Sequence, residues 1–330
     1  MKRATIYDVA KAAGVSHQTV TRYLNGFEGI RPATRERVRK ALAELDYRPN
    51  SAARFLRSQQ TNRIGLLAHR MDLSGPGRLI AGATSAARER GYVLDIASMD
   101  GGDAASVDEA LDLVLEHQIA GVFGTAQTHV VREAIEARAL SVPIALDGQE
   151  SGPGSVNVGL PGHLAAAHLA ELGHRRVGFL SGPAVWIASA ARRDGFLAEA
   201  AAAGLDVRWM GEGDWSAESG WAAAQECPVG EQGITAIAVS NDSMAVGLIA
   251  GLHERGIDVP GDVSVVGMDD SPESRFLVPA LTTVRLDFEG EGAHRMARLI
   301  ARIEDRTGSD VPEYDAPRLI VRQSTRAIAD

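Results

Sequence analysis

Gln18, Thr21, Arg22 and Asn25 recur at i, i+3, i+4 and i+7. That spacing gathers four polar side chains on one face of a helix. Amides pair with adenine edges and a guanidinium with guanine or a phosphate, so the stripe has the chemistry to read bases in a major groove. Taken alone, it also suits the ordinary solvated face of a small helical module. Its surroundings favour the first reading. Thr5 can N-cap a preceding helix, with Asp8 where a capping box has its acid. Val9, Ala10 and Ala13 give that helix an apolar side, and Gly14 can take the left-handed conformation that ends it. Ser16 then caps the second helix, whose Val20 and Leu24 face inward. Two short helices, a tight turn and a polar second helix form a helix-turn-helix pattern.

A second group of polar residues follows apolar runs farther along. Asp147 ends PIALD, Asn241 and Asp242 follow TAIAVS, Asp269 follows VSVVGM, and Arg192 lies on a helix after SGP. Ligands in open α/β sheets bind at the carboxyl ends of strands. Asp, Asn and Arg suit hydroxyl groups, and Trp215 can cover an apolar ring face. Each residue also has a plainer role: one of Asn241 and Asp242 caps a helix, Asp147 suits a turn before Gly148, and Arg192 can pair with Asp194 or Glu199.

Enzyme motifs are missing: no P-loop, G-x-G-x-x-G, H-E-x-x-H, C-x-x-C or G-x-S-x-G. His163, His168 and His174 are spread along a helix and its exit, where histidine serves as a cap or surface residue. We expect no enzyme, no cofactor and no metal.

At 330 residues the chain exceeds one typical domain. Its net charge of −9 argues against nucleic acid until it is divided. Residues 1–60 carry twelve Lys or Arg against five acids, a balance of +7, which leaves −16 for the remainder. A basic head suits phosphate neutralisation, and an acidic body is repelled by DNA. The single cysteine, Cys227, and the lack of a signal peptide or bilayer-length apolar run predict a cytoplasmic protein without membrane partners.

The elements positioning these residues read as follows. Pro32 opens a third helix running to about Leu45, weakly capped by Arg31. From Arg63, apolar runs at 64–68, 93–97, 121–124, 143–147, 177–182, 235–240 and 263–268 alternate with Ala-rich helical stretches. Such runs are buried parallel strands, and helical crossovers make doubly wound sheets. Two series suggest two similar lobes flanking a cleft.

TIYDVAKAAGVSHQTVTRYLNG, YRPN (47–50), ELGHRRVGFLSGP (171–183), SND (240–242), VSVVGMDD (263–270) and LTTVRLDF (281–288) stand in order along the chain. In these segments, and over about residues 2–325, it resembles the lac repressor family of bacterial transcription regulators. The resemblance implies a small all-α headpiece (1–48), a hinge helix or linker (49–61) and a ligand-binding and dimerisation core (62–330). That core is periplasmic-binding-protein-like, with lobes about 62–157 with 288–315 and about 158–287 with 316–330. It implies a sequence-specific repressor of sugar-utilisation genes acting as an allosteric homodimer on operator DNA. The absence of a C-terminal leucine heptad argues against a tetramer.

For DNA, the resemblance implies Thr5, Tyr7, Ser16, His17, Gln18, Thr19, Thr21, Arg22 and Asn25, with Arg3, Arg35 and Arg54 on phosphates. In the segment 50–60, Leu56 matches a leucine that wedges into the minor groove, with Asn50, Ala53, Arg54 and Arg57 around it. The plainer reading of that segment is a flexible linker. For the effector it implies His69, Leu73, Asp147, Arg192, Trp215, Asn241, Asp269, Leu286 and Phe288. GDWSAESG resembles the galactoside-binding member that gives the family its name more than the family at large. Leu286 stands where that member has glutamine and His17 where it has tyrosine, so sugar and operator are expected to differ. A galactoside or related sugar is the first expectation; a purine, nucleoside or other sugar is the alternative. The dimer interface is expected around Leu79, Ala83, Ala86 and Ala87.

Overall fold

The computed structural model describes residues 4–24, 27–47, 61–125, 128–146, 159–230, 233–306 and 311–328. Contacts divide the chain into two compact units, Met1–Thr61 and Asn62–Asp330.

The first unit contains α1 (Ile6–Ala13), α2 (His17–Leu24) and α3 (Pro32–Glu44). Thr5 and Asp8 complete the capping box reciprocally: Thr5 N–H donates to Asp8 at 2.8 Å and Asp8 N–H to Thr5 Oγ1 at 3.3 Å. Gly14 ends α1 at φ +62°. Pro32 occupies the first turn of α3, and Arg31 gives it no side-chain cap. Val9, Ala10, Ala13, Val20, Val38 and Ala41 form one small core.

In the second unit, the first sheet comprises β1 (Arg63–Ala68), β2 (Val93–Ser98), β3 (Gly121–Gly124) and β4 (Ile144–Leu146). All its pairs are parallel, in the order β2-β1-β3-β4. Its helices are α4 (Ser74–Glu89), α5 (Ala104–Leu115) and α6 (His129–Ala137). Ile64 and Leu66 point to one face with Leu79, Phe123 and Leu299. Leu67 points to the other with Val107, Leu111 and Ile135. Both faces are covered, as parallel sheets require.

The second lobe holds α7 (Leu160–Glu171), β5 (Arg176–Ser181), α8 (Ile187–Ala202), β6 (Asp206–Glu212), α9 (Ala217–Glu226), β7 (Ala236–Val239), α10 (Asp242–Glu254), β8 (Ser264–Asp269) and β9 (Thr282–Arg285). The chain then returns to the first lobe as α11 (Phe288–Ile303), which packs on α4. Finally β10 (Arg318–Ile320) joins the second sheet antiparallel to β9, giving the order β10-β9-β8-β7-β5-β6. The α4–α11 crossing is close because Gly82 and Gly292 face backbone: a Cβ on either would meet Glu289 or Leu79 carbonyl atoms.

One expected surface is core. Leu79, Ala83 and Ala87 are 3%, 0% and 1% exposed, and Ala86 packs against the same cluster beneath α11. The apolar stripe of α4 faces this chain, not a second copy. His168 and His174 likewise are buried, not capping or surface groups. His174 Nε2 lies 3.2 Å from the Arg326 carbonyl and 3.1 Å from Ser264 Oγ, and Nδ1 lies 2.9 Å from Thr235 Oγ1. A carbonyl only accepts, so Nε2 carries a proton. His168 Nε2 meets Thr325 Oγ1 at 3.1 Å. The two rings tie the C-terminal strap to the second lobe. Among the described residues, no helix is long and apolar enough to cross a membrane.

Burial pushes the His174 imidazole down from 6.5 to about 4. The unfolded chain therefore binds a proton between those values that the folded chain refuses. Stability from this group is complete above pH 6.5 and is lost as pH falls toward 4, by roughly 3 kcal/mol. Urea denaturation across this range is expected to show that loss in the wild type relative to His174→Gln; parallel pH profiles for the two proteins would contradict it.

Candidate functional site

In the first unit, α2 presents its polar face outward. Ser16 Oγ accepts from Thr19 N–H at 3.2 Å, starting the helix, and its hydroxyl lies 3.0 Å from that of Thr19. His17, Gln18 and Arg22 are exposed. Thr21 is half-buried, its hydroxyl donating to the His17 carbonyl at 3.0 Å. Tyr7, exposed on α1, meets the His17 ring with centroids 5.2 Å apart. Thr5 serves as the cap of α1. Arg35, expected on phosphate, donates to the Phe27 carbonyl at 3.1 Å and lies 5.9 Å from the Tyr23 centroid. Arg3, Asn25, Asn50, Ala53, Arg54, Leu56, Arg57 and Asp147 lie outside the described residues.

In the second unit the chemistry centres on Arg192. Instead of pairing along its own helix, it projects from α8 among the carboxyl ends of the strands and is 7% exposed. Its guanidinium donates to the Ser240 carbonyl, stands 3.1 Å from Asp269 Oδ1 and lies 5.8 Å from the Trp215 centroid. Burial pushes the Asp269 carboxyl up, opposed by the adjacent Arg192 charge.

The residues that build this centre adopt costly backbone conformations. Trp215 sits at φ +75° and Asp269 at φ +113°, where L side chains are strained by about 1–3 kcal/mol. Asn241 holds Trp215 in place. Its Oδ1 caps α10 by accepting from Met244 N–H at 2.8 Å, while its Nδ2 donates to the Trp215 carbonyl at 3.0 Å. The indole packs on Gly182, where any Cβ would strike the ring.

Asp242 is a hub, not the cap. Its carboxylate accepts from Ser271 N–H at 2.7 Å, Ser274 Oγ at 2.5 Å and Thr283 Oγ1 at 2.6 Å. Burial, then the nearby Asp269 charge, push its carboxyl up to about 7 against these hydrogen bonds.

The first lobe closes over this centre. His69 meets Trp186 with centroids 5.1 Å apart, and Trp186 meets Trp215 edge-on at 5.5 Å. Thr128 forms a backbone bridge to Trp186. Leu73 packs against the cluster containing both tryptophans. Arg78 donates to the Asp269 carbonyl at 3.2 Å and lies 5.6 Å from the Phe288 centroid. The structure thus brings His69, Leu73, Arg192, Trp215, Asn241 and Asp269 together, with Phe288 joined through Arg78. Leu286 is half-buried at the crossover between β9 and α11. Sequence reasoning gave Trp186 no specific part and missed Arg78 and Ser240. Only the aromatic residue beside SGP carried a signal.

Two buried polar atoms here take no hydrogen bond, Trp215 Nε1 and Ser240 Oγ, and Asp269 Oδ1 has the Arg192 ion pair as its polar contact. All three residues border the Arg192 guanidinium. Together they offer a donor, a hydroxyl and an acceptor to whatever enters. Among the described residues, no group of three His, Cys, Asp or Glu side chains is arranged to hold a metal. Burial pushes the Cys227 thiol up to about 12, which leaves it an inert core residue.

The model of bacterial regulatory proteins of the lacI family matches residues 5–50, and that of a periplasmic binding protein-like domain matches 166–325. The lactose operon repressor of Escherichia coli strain K12 is 33% identical over 309 residues, 91% of this chain and 85% of that protein. The chain belongs to the lacI family. It is a DNA-binding transcriptional repressor of that family, whose similar members are regulators, not enzymes. The PurR repressor of Glaesserella parasuis serovar 5 is 28% identical, covering 98% of each chain. In three dimensions, the lac repressor dimer bound to operator and the anti-inducer ONPF aligns with a TM-score of 0.85 at 30% identity, covering 99% of this chain and 100% of that one. A complex of the regulator CelR with cellobiose gives 0.69 at 27%, covering 98% and 100%.

Asp242→Ala leaves one backbone and two hydroxyl donors without their buried acceptor. It is expected to lower the unfolding free energy by about 2–5 kcal/mol in urea denaturation. The pH dependence runs opposite to that of His174. The folded carboxyl holds a proton between its ordinary 3.8 and about 7 that the unfolded one has released. The stability of wild type relative to Asp242→Asn therefore declines as pH rises through that window.

Proposed function

We propose that this repressor acts as a homodimer on a near-palindromic operator, governs sugar-utilisation genes, and is released by a small sugar such as a galactoside bound between its lobes. The observation carrying the sugar reading is the pair of unsatisfied atoms, Trp215 Nε1 and Ser240 Oγ, beside the Arg192–Asp269 ion pair. A buried polar atom without a partner costs about 1–3 kcal/mol. A sugar hydroxyl can accept from the Trp215 indole N–H while donating to Asp269, and a neighbouring hydroxyl can pair with Ser240. With Trp215 only 4% exposed, entry requires the lobes to part. An effector that binds the closed and parted arrangements unequally then shifts their balance.

One observation favours a second reading. His69, Trp186 and Trp215 form a chain of rings, which suits a flat purine, and PurR repressors are among the similar proteins.

The headpiece reading assigns base contacts to Gln18 and Arg22 on α2. For the homodimer, exposed Val93 and Ile96 on the edge strand β2, with Phe276 and Val278 in the second lobe, replace α4 as the surface for a second copy.

Ser240→Ala tests the effector reading gently, because it removes a hydroxyl that has no protein partner. Operator affinity should stay unchanged, while the sugar concentration for release rises about tenfold, the equivalent of about 1.4 kcal/mol. Fluorescence anisotropy of labelled operator, titrated with galactosides, glucosides and purines, is the measurement. Release by purines and by no sugar would transfer the assignment to the second reading. Separately, Arg22→Ala should cost about 1–3 kcal/mol and relax one operator position in a binding-site selection. An unchanged preference would remove Arg22 from the base-reading set.

A further inference from the structure

We propose that Phe27 is a positioning residue for Arg22 and through it a determinant of which operator this repressor selects; the inference rests on the reading of Arg22 as a base-contacting residue. The Arg22 Cζ atom lies 5.6 Å from the centroid of the Phe27 ring. That ring is 52% exposed, so it is not there to fill the core formed by Val9, Val20 and Val38.

Its position is nevertheless fixed on several sides. Phe27 N–H donates to the Arg22 carbonyl at 3.0 Å, anchoring the ring's own backbone to the residue it faces. The Phe27 carbonyl accepts from Arg35 Nη2 at 3.1 Å, which ties it to α3. Beneath the ring is Gly29, where an added Cβ would lie 2.5 Å from Phe27 Cε1. Any side chain at position 29 would displace the ring.

The chemistry of the contact suits readout. Arginine carries five N–H donors in one plane, and bidentate recognition of guanine uses two of them. A carboxylate partner would occupy those donors and weaken the charge. An aromatic ring engages the face of the guanidinium and leaves the in-plane donors directed outward. It also reduces the rotamers that an exposed arginine must lose when it binds, so the side chain meets DNA already oriented. Arg35 extends the arrangement, standing 5.9 Å from the Tyr23 centroid while it holds the Phe27 carbonyl.

The test uses the full-length protein and a randomised duplex library, followed by anisotropy on the selected site and its single-base-pair variants. Four proteins are compared with wild type: Arg22→Ala, Phe27→Ala, Phe27→Tyr and the double variant Arg22→Ala/Phe27→Ala. Phe27→Ala should lower discrimination about two- to fivefold at the one base pair where Arg22→Ala abolishes it, with other positions unchanged. Phe27→Tyr keeps a ring and should restore that discrimination. In the Arg22→Ala background, removing Phe27 should have no further effect. Full discrimination in Phe27→Ala would overturn the proposal. So would an equal loss of affinity from Phe27→Ala with and without Arg22, which would make Phe27 a DNA contact in its own right. If Arg22→Ala leaves sequence preference intact, the base-reading assignment falls, and the proposal falls with it.

Discussion

A buried guanidinium must satisfy five donors and a full charge where water does not reach, and Arg192 sets that requirement at the centre of the larger unit. It draws the Ser240 carbonyl from the end of β7, Asp269 from the end of β8 and the Trp215 ring from the loop before α9. Three separate strand–helix connections converge because one cation needs them. The demand passes outward: Trp215 and Asp269 hold left-handed backbone, and Asn241 must pin one while capping α10. A buried ion pair is weak support for stability, since desolvation offsets much of the attraction. Its role here is placement, because it holds the Ser240 carbonyl, Asp269 and the Trp215 ring around one point.

The parts that were legible in the sequence are those governed by local rules. The Thr5–Asp8 box, the Gly14 stop and Pro32 depend on residues a few positions apart, and they read correctly. Seven strands follow the apolar runs: the buried ones have no polar face to disguise them, and the edge strand β2 keeps an apolar run although Val93 and Ile96 are exposed. The edge strand β6 was missed: only alternate positions along DVRWMGE are sheltered, so no continuous run betrays it. Strand β10 spans three residues and exists through its pairing with β9. Long-range partners were opaque for the same reason. Nothing near His174 foretells Thr235, Ser264 and Arg326, and nothing near Arg192 foretells Asp269. The stripe on α4 shows a further limit: an apolar face reads identically whether it meets α11 or a second molecule.

The two units manage arginine in different ways, and the difference follows from solvent. In the core, Arg192 and Arg295 are enclosed and bond to carbonyls and carboxylates. In the headpiece, Arg22 is exposed and meets a ring face, which asks for no donor. Exposed salt bridges contribute little, so order on a wet surface has to come from rigid partners. Phe27 qualifies because its backbone is tied at both its N–H and its carbonyl.

Among the described residues, contacts of mixed kinds join the two lobes: the Thr128–Trp186 backbone bridge, the His69–Trp186 rings, the packing of Leu73, the Arg78–Asp269 hydrogen bond and the 3.4 Å contact between Ser74 and Ser271 hydroxyls. Each such contact is worth about 1 kcal/mol. They also adjoin the groups that ring Arg192. Asp269 carries both a first-lobe contact through its carbonyl and the carboxylate paired with Arg192. Trp186 touches Trp215 on one side and the first lobe on the other. Asp269 therefore carries both an inner and an outer contact, and Trp186 lies between the inner Trp215 ring and the first lobe. On the reading proposed above, coupling between a bound effector and the lobe arrangement would need no distant pathway, since Asp269 and Trp186 border both.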